Sequence, residues 1–311
     1  MNTPVRVAFF GTPTLASTIL EALCESPYKP ALVVTAPDKP AGRGYALTPP
    51  AVKETAAHYD IPVLQPEKLD EQFAEQLLHQ AWDVFIVAAY GKIIPKRILD
   101  IPVKGTLNVH GSLLPKHRGS SPIQAAIANG DIMTGPTIML IDEKMDHGPI
   151  IAQKEFPIAP DETSGTLFVK MADEGARLLV ETLPGWLSDE LKATPQNHDK
   201  ATTTSMLTKE DGRMNWGSAA VTLERLVRAY DPWPGTFTFW GGRRVKILAT
   251  KIGEGNAGTN PGTVVQYGDG IAVAASDVPL IITSLQLEGK KAQSGQEFAH
   301  AYPDFIKATL Q

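Results

Sequence analysis

Cysteine is nearly missing from the chain. Cys24 is the single one in 311 residues, which excludes an intrachain disulfide and fits a reducing compartment. Its setting, TILEALCESP, suits a helix-face packing position better than a nucleophile. Long hydrophobic runs are missing too: none approaches the roughly 20 residues of a membrane helix. The N-terminal MNTPVRVAFFGTP has neither the basic start nor the cleavage site of a secretory signal. The expectation is a cytoplasmic protein with no membrane partner. Excess positive charge is also absent. The formal net charge is −5, and dividing the chain near Ser205 leaves about −6 and +1, so no global basic surface advertises a nucleic-acid partner. Internal repeats and low-complexity tracts are lacking.

What is present is an alternation. VRVAFFG (5–11), ALVVTA (31–36), DVFIVAAYG (83–91) and GTLNVHGS (105–112) are continuous apolar runs, as buried parallel strands require. Helical spacing fills the intervals in TPTLASTILEALCES, AVKETAAHYD and EQFAEQLLHQ, with Thr12 and Pro13 placed as cap and first turn. Strand TGPTIMLID (134–142) and a helix over 165–187 complete the pattern. Strands alternating with helices predict an α/β, Rossmann-like, doubly wound and mostly parallel sheet, with ligands outside the carboxyl ends of the strands. Residues 189–205 are polar and aperiodic, as a linker is. Beyond them TFTFW, RRVKILATKI, GTVVQYG, GIAVAAS and LIITSLQLEG are short strand-like runs parted by turn residues, which predict an OB-like β-barrel. The expected division is a catalytic domain over 1–188, a linker over 189–205 and a barrel domain over 206–311.

NVHGSLLPKHRGSSP (108–122) falls where a strand ends. Its plain reading is a surface loop, since Gly, Ser and Pro mark turns. If TLNVH is a strand, Asn108 and His110 project to one face. An amide and an imidazole there can stabilise an oxyanion, and a nearby carboxylate would orient the imidazole and raise its pKa. Asp146, in EKMDHGPI, is the candidate carboxylate. The first turn, GTPTLA, stands where a dinucleotide-binding glycine motif would, and Asp38 ends the second strand where a ribose-binding acid would. Pro13, however, denies the bare backbone approach that a pyrophosphate needs. A nicotinamide oxidoreductase and a non-catalytic RNA-binding module therefore stand as alternatives.

NVHGSLLPKHRGSSPIQAAIANGD together with TIMLIDEKMDHGPII resembles the formyltransferase family that uses 10-formyltetrahydrofolate. The family pattern is N-x-H-x-S-L-L-P followed by D-x-G, and here 36 residues separate His110 from Asp146. The resemblance implies that Asn108, His110 and Asp146 are catalytic, that Ser112, Leu113, Leu114 and Pro115 line the folate site, and that the Tyr90-Gly91 turn contributes to it. It implies direct attack of an amine on the formyl carbon, with 10-formyltetrahydrofolate as cosubstrate and no metal. Asn108 and His110 would hold the oxyanion while Asp146 keeps His110 charged. Two positions depart from the family: His117 stands where a large aromatic is common, and His147 where Thr is usual.

TAPDKPAGRGYALTPPAVK (35–53) resembles the loop with which the tRNA-directed members grip the acceptor end, and implies tRNA contacts by Lys39 and Arg43. The C-terminal half resembles the same members. The implied acceptor is therefore initiator methionyl-tRNA, the protein a monomer, and the process translation initiation; a sugar-amine acceptor is the near alternative. In the barrel, Arg243, Arg244, Lys246 and Lys251 cluster near Trp233, Phe237, Phe239 and Trp240, with Lys290-Lys291 as a second basic site. Alternation points Phe237 and Phe239 the same way, inward.

Overall fold

The computed structural model describes residues 5–41 and 46–311. Its contacts divide the chain into two compact units, one built from residues 1–122, 133–157 and 168–204, the other from 123–132, 158–167 and 205–311.

The first unit is an α/β layer structure. Strands β1 (Val7–Gly11), β2 (Leu32–Val34), β3 (Val63–Leu64), β4 (Val84–Ala88), β5 (Thr106–His110), β6 (Thr137–Leu140) and β7 (Ile150–Gln153) form a seven-stranded sheet in the order β7-β6-β5-β4-β1-β2-β3. The pairs from β3 to β5 are parallel, whereas β6 runs antiparallel to both β5 and β7. Both β1 and β4 are buried along their whole length, which is why their sequences run apolar without alternation. Alternate residues serve opposite faces. Val7 and Phe9 join one core cluster with Ile19, Leu23, Leu179 and Leu183, while Ala8 and Phe10 join another with Phe73, Leu77, Ile98 and Leu99. Helices on both faces leave only the strand ends open, and β5 delivers Asn108 and His110 there.

The second unit is a β structure with its own core. Strands β8 (Thr236–Trp240), β9 (Arg243–Ile252), β10 (Val264–Tyr267), β11 (Gly270–Ala274) and β12 (Pro279–Leu287) are ordered β8-β9-β12-β11-β10, with β13 (Gln293–Ser294) beside β12. All of these pairs are antiparallel. Among the described residues, no ladder joins β8 to β10, so a closed barrel is not found. The C-terminal tail instead bonds to both edges: Val264 N donates to Ala308 O and Leu310 N to Gly262 O, while Phe239 N donates to Gln311 O.

The expected inward aromatics are met in part. Phe237 and Phe239 share a face, with ring centroids 5.6 Å apart; Phe237 is buried and Phe239 half-buried. The other face is covered too: Thr238 accepts a hydrogen bond from the core residue Trp216, and Trp240 packs edge-on to Phe305. Phe237 is buried under the Arg244 guanidinium, 3.4 Å from its ring centre, and Arg213 lies over Phe239.

Candidate active site

Strand β5 ends in Asn108-Val109-His110, and its alternation sends residues 108 and 110 to one face. Asp146 meets them from the loop between β6 and β7. Its Oδ1 lies 3.5 Å from the Asn108 amide nitrogen and 3.6 Å from His110 Nδ1, so one oxygen faces both groups. Its Oδ2 accepts a 2.7 Å bond from the Gly119 backbone N–H. The structure thus brings the three expected residues together.

His110 is 6% exposed, and its Nε2 lies 3.1 Å from the His117 carbonyl oxygen. A carbonyl only accepts, so Nε2 carries the hydrogen and Nδ1 is left as the nitrogen that titrates, facing Asp146. The expected raised pKa is not met. Burial holds the imidazole below its ordinary range, and the attraction of Asp146 and the bond to His117 only partly offset it. In the substrate-free chain His110 is neutral near pH 7.

The KHRG stretch (116–119) supports both partners. His117 and Gly119 have φ of 57° and 108°, and residues 118–119 pair in parallel with Thr203–Thr204. A Cβ on Gly119 would stand 2.2 Å from the Thr204 carbonyl oxygen, so only glycine offers its N–H to Asp146 from this close pairing. Gly148, the glycine of D-x-G, is fixed likewise: a Cβ would lie 2.0 Å from the Leu140 carbonyl oxygen.

The Ser112–Pro115 turn is fastened from β6 and β7. Thr137 Oγ1 donates to Ser112 O at 2.6 Å and accepts from Leu114 N, and Gln153 Nε2 donates to Leu114 O at 2.9 Å. Leu114 is buried and Leu113 half-buried. Tyr90 turns its ring into the core beside Phe10, where burial pushes its hydroxyl up to about 12 and leaves it without a partner. Only its backbone and Gly91 remain at the strand end.

Sequence reasoning missed the part played by residues 194–204. Gln196 is buried, donates to the carbonyls of Asp146 and Gly148, and accepts from Arg118. Arg118 also lies 2.8 Å from His198 Nδ1, and the His198 ring stacks on His147 at 4.0 Å. His147 in turn bonds Asp142 at 2.7 Å. Desolvation first, then the charges of His147 and Arg118, hold His198 below the usual histidine range. A cavity of about 380 Å³ opens beside this loop, lined by Lys96, Leu99, Ile141, Lys144 and His147 among others, but not by Asn108 or His110.

Lys39 is exposed at the base of a two-strand ribbon, Lys39–Ala41 with Ala46–Thr48. It is not brought to the Asn108–His110–Asp146 cluster, and Arg43 lies outside the described residues. Asp38, the ribose-binding alternative, is engaged by Lys53 at 2.7 Å and by Gln65. Among the described residues there is no group of three or more His, Cys, Asp or Glu placed to hold a metal, and no helix is long and apolar enough to cross a membrane.

Comparison with known proteins places this geometry. Residues 5–183 match the family described as formyl transferase, and residues 206–303 match its C-terminal domain. The chain is 46% identical over 299 residues to a methionyl-tRNA formyltransferase of Myxococcus xanthus, covering 96% of this chain and 95% of that protein. It is 43% identical to the one from Desulfotalea psychrophila, covering 94% and 92%. Among solved structures, an N-formyltransferase of Helicobacter canadensis, in complex with folinic acid and dTDP-3-aminofucose, shares the fold at a TM-score of 0.68 and 18% identity, covering 89% of this chain and 98% of that one.

Proposed function

We infer, for a chain that belongs to the formyl transferase family, that its reaction is transfer of the formyl group of 10-formyltetrahydrofolate to the α-amine of initiator methionyl-tRNA, which serves translation initiation. The observation that carries the acceptor is the 46% identity to a methionyl-tRNA formyltransferase along 96% of the chain. The donor set fits a formyl-folate: an amide, a buried imidazole and a carboxylate converge at a strand end beside the fastened Ser112-Leu113-Leu114-Pro115 turn, which we assign as the folate wall.

The roles of Asn108, His110 and Asp146 are our assignment. The acceptor nitrogen's lone pair forms the bond to the formyl carbon, and the carbonyl pair moves to oxygen. The Asn108 amide donates to that oxygen. Asp146 Oδ1 takes the proton that the attacking amine loses, with His110 Nδ1 beside it to share the load. The proton then passes to the folate nitrogen as the carbon–nitrogen bond breaks. Because burial makes protonated His110 a readily donating acid, Asp146 need not hold it charged throughout; a transient proton suffices.

We assign residues 1–188 as the catalytic domain, 189–205 as a connecting segment that packs with the first unit as far as residue 204, and 206–311 as an OB-like tRNA-binding domain, supported by the antiparallel path whose two edges are bridged by the tail. Lys39 and Arg43 are assigned to the acceptor end of the tRNA. We assign the protein as a monomer, and charged tRNA is met in the cytoplasm. The test is formylation of charged initiator tRNA, of free methionine and of a nucleotide-linked amino sugar. Transfer to the tRNA alone is expected; formylation of the sugar with no dependence on Arg43 would move the assignment to the sugar-directed members.

A further inference from the structure

We propose that Gln196 is a positioning residue for Asp146, so that the segment leaving the first unit's sheet forms part of the active site. This rests on the reading of Asp146 as the working carboxylate. The Gln196 Nε2 donates to the carbonyl oxygens of Asp146, at 2.9 Å, and Gly148, at 2.7 Å. Its Oε1 accepts from Arg118 Nε at 3.1 Å and from a terminal nitrogen of the same guanidinium at 2.6 Å. Both amide hydrogens and both oxygen lone pairs are engaged, and the two sets are not interchangeable. Turning the amide over would set its oxygen against two carbonyls and its NH₂ against a cation.

The clamp has something to hold. Asp146 has φ +49°, a conformation that costs an aspartate free energy and persists only where its surroundings enforce it. Gln196 holds the backbone that leaves that bend, at the Asp146 and Gly148 carbonyls, while Gly119 holds the carboxylate. The register of the clamp is set by a backbone bridge two residues earlier, where Ile150 N donates to Thr194 O at 2.8 Å and Thr194 N to Ile150 O at 2.7 Å. At 5% exposure, Gln196 does not meet solvent. It acts through Asp146, not on the substrate.

The test pairs Gln196→Ala with Gln196→Glu in the full chain. Gln196→Glu keeps an acceptor for Arg118 but sets a carboxylate oxygen against the two carbonyls. Both variants are expected to lower kcat about 10- to 100-fold, the range for slight misplacement of a reacting group, with KM for the formyl donor within about two-fold of the parent. Backbone amides over 143–148 should exchange faster in both, a readout independent of turnover. An unchanged kcat in Gln196→Ala, parent-like turnover in Gln196→Glu, a loss confined to KM, or a kcat loss with unaltered exchange would overturn the clamp. If the parent itself transfers no formyl group, the functional reading fails, and the exchange data still decide whether Gln196 holds the loop.

Discussion

His110 shows how far a single side chain departs from what its neighbours suggest. An aspartate 3.6 Å away argues for a charged imidazole, yet the ring is buried and its Nε2 is committed to a backbone carbonyl. Desolvation wins, and the folded pKa lies below that of the unfolded chain. The sign follows from linkage. As pH falls below about 6.5, the unfolded histidine binds its proton first, so stability is lost from that point down to the folded pKa. Denaturation midpoints from pH 7.5 to 5 should therefore fall more steeply in the parent than in His110→Gln; equal slopes would contradict the buried, neutral ring. Tyr90 offers a second check. Its hydroxyl is buried without a partner, so Tyr90→Phe should leave the melting temperature unchanged or raise it. A fall of several degrees would reveal a partner for that hydroxyl.

At the scale of elements, the strand ends and the loops between them carry the chemistry, and glycines mark where they touch. Gly119→Ala forces a Cβ to within 2.2 Å of the Thr204 carbonyl at a φ of 108°. The expected result is separation of residues 118–119 from 203–204, with formyl transfer down at least about 10-fold as Asp146 loses its backbone donor; parent-like kcat would refute the pairing's role. Leu310→Ala should cost about 2–4 kcal/mol, the usual price of emptying a buried leucine site, since Leu310 is 5% exposed in the second core and the tail bonds both sheet edges. Chemical denaturation followed by a probe in the second unit measures it. Much of this architecture was legible from apolar runs: β1, β4 and β5 sit inside the predicted stretches, and β9 matches RRVKILATKI residue for residue. The antiparallel sense of β6 was not, because pairing direction leaves no mark on a short buried run. Residues 194–204 read as linker because they bond through a glutamine, an arginine and short backbone pairs, none of which produces periodicity. Alternation put Phe237 and Phe239 on one face, and Phe237 is buried there, but alternation does not tell how far along the strand the cover extends, and Phe239 is half-buried.

For the whole molecule, the net charge of −5 and the near-neutral balance of residues 205–311 argue that tRNA affinity comes from local basic sites rather than bulk attraction. Arg43→Ala should then weaken use of charged initiator tRNA and reduce the salt dependence of kcat/KM by about one contact's share, leaving the formyl donor's KM unaltered. An unchanged salt slope would remove Arg43 from the tRNA contact. The most direct test of the account is single-turnover formylation of initiator methionyl-tRNA by the parent and by Asp146→Ala, with binding of the formyl donor measured in parallel. The account predicts intact binding and a rate lowered at least about 1000-fold, since the variant loses the group that receives the amine's proton and faces both Asn108 and His110. Near-full turnover in Asp146→Ala would contradict it.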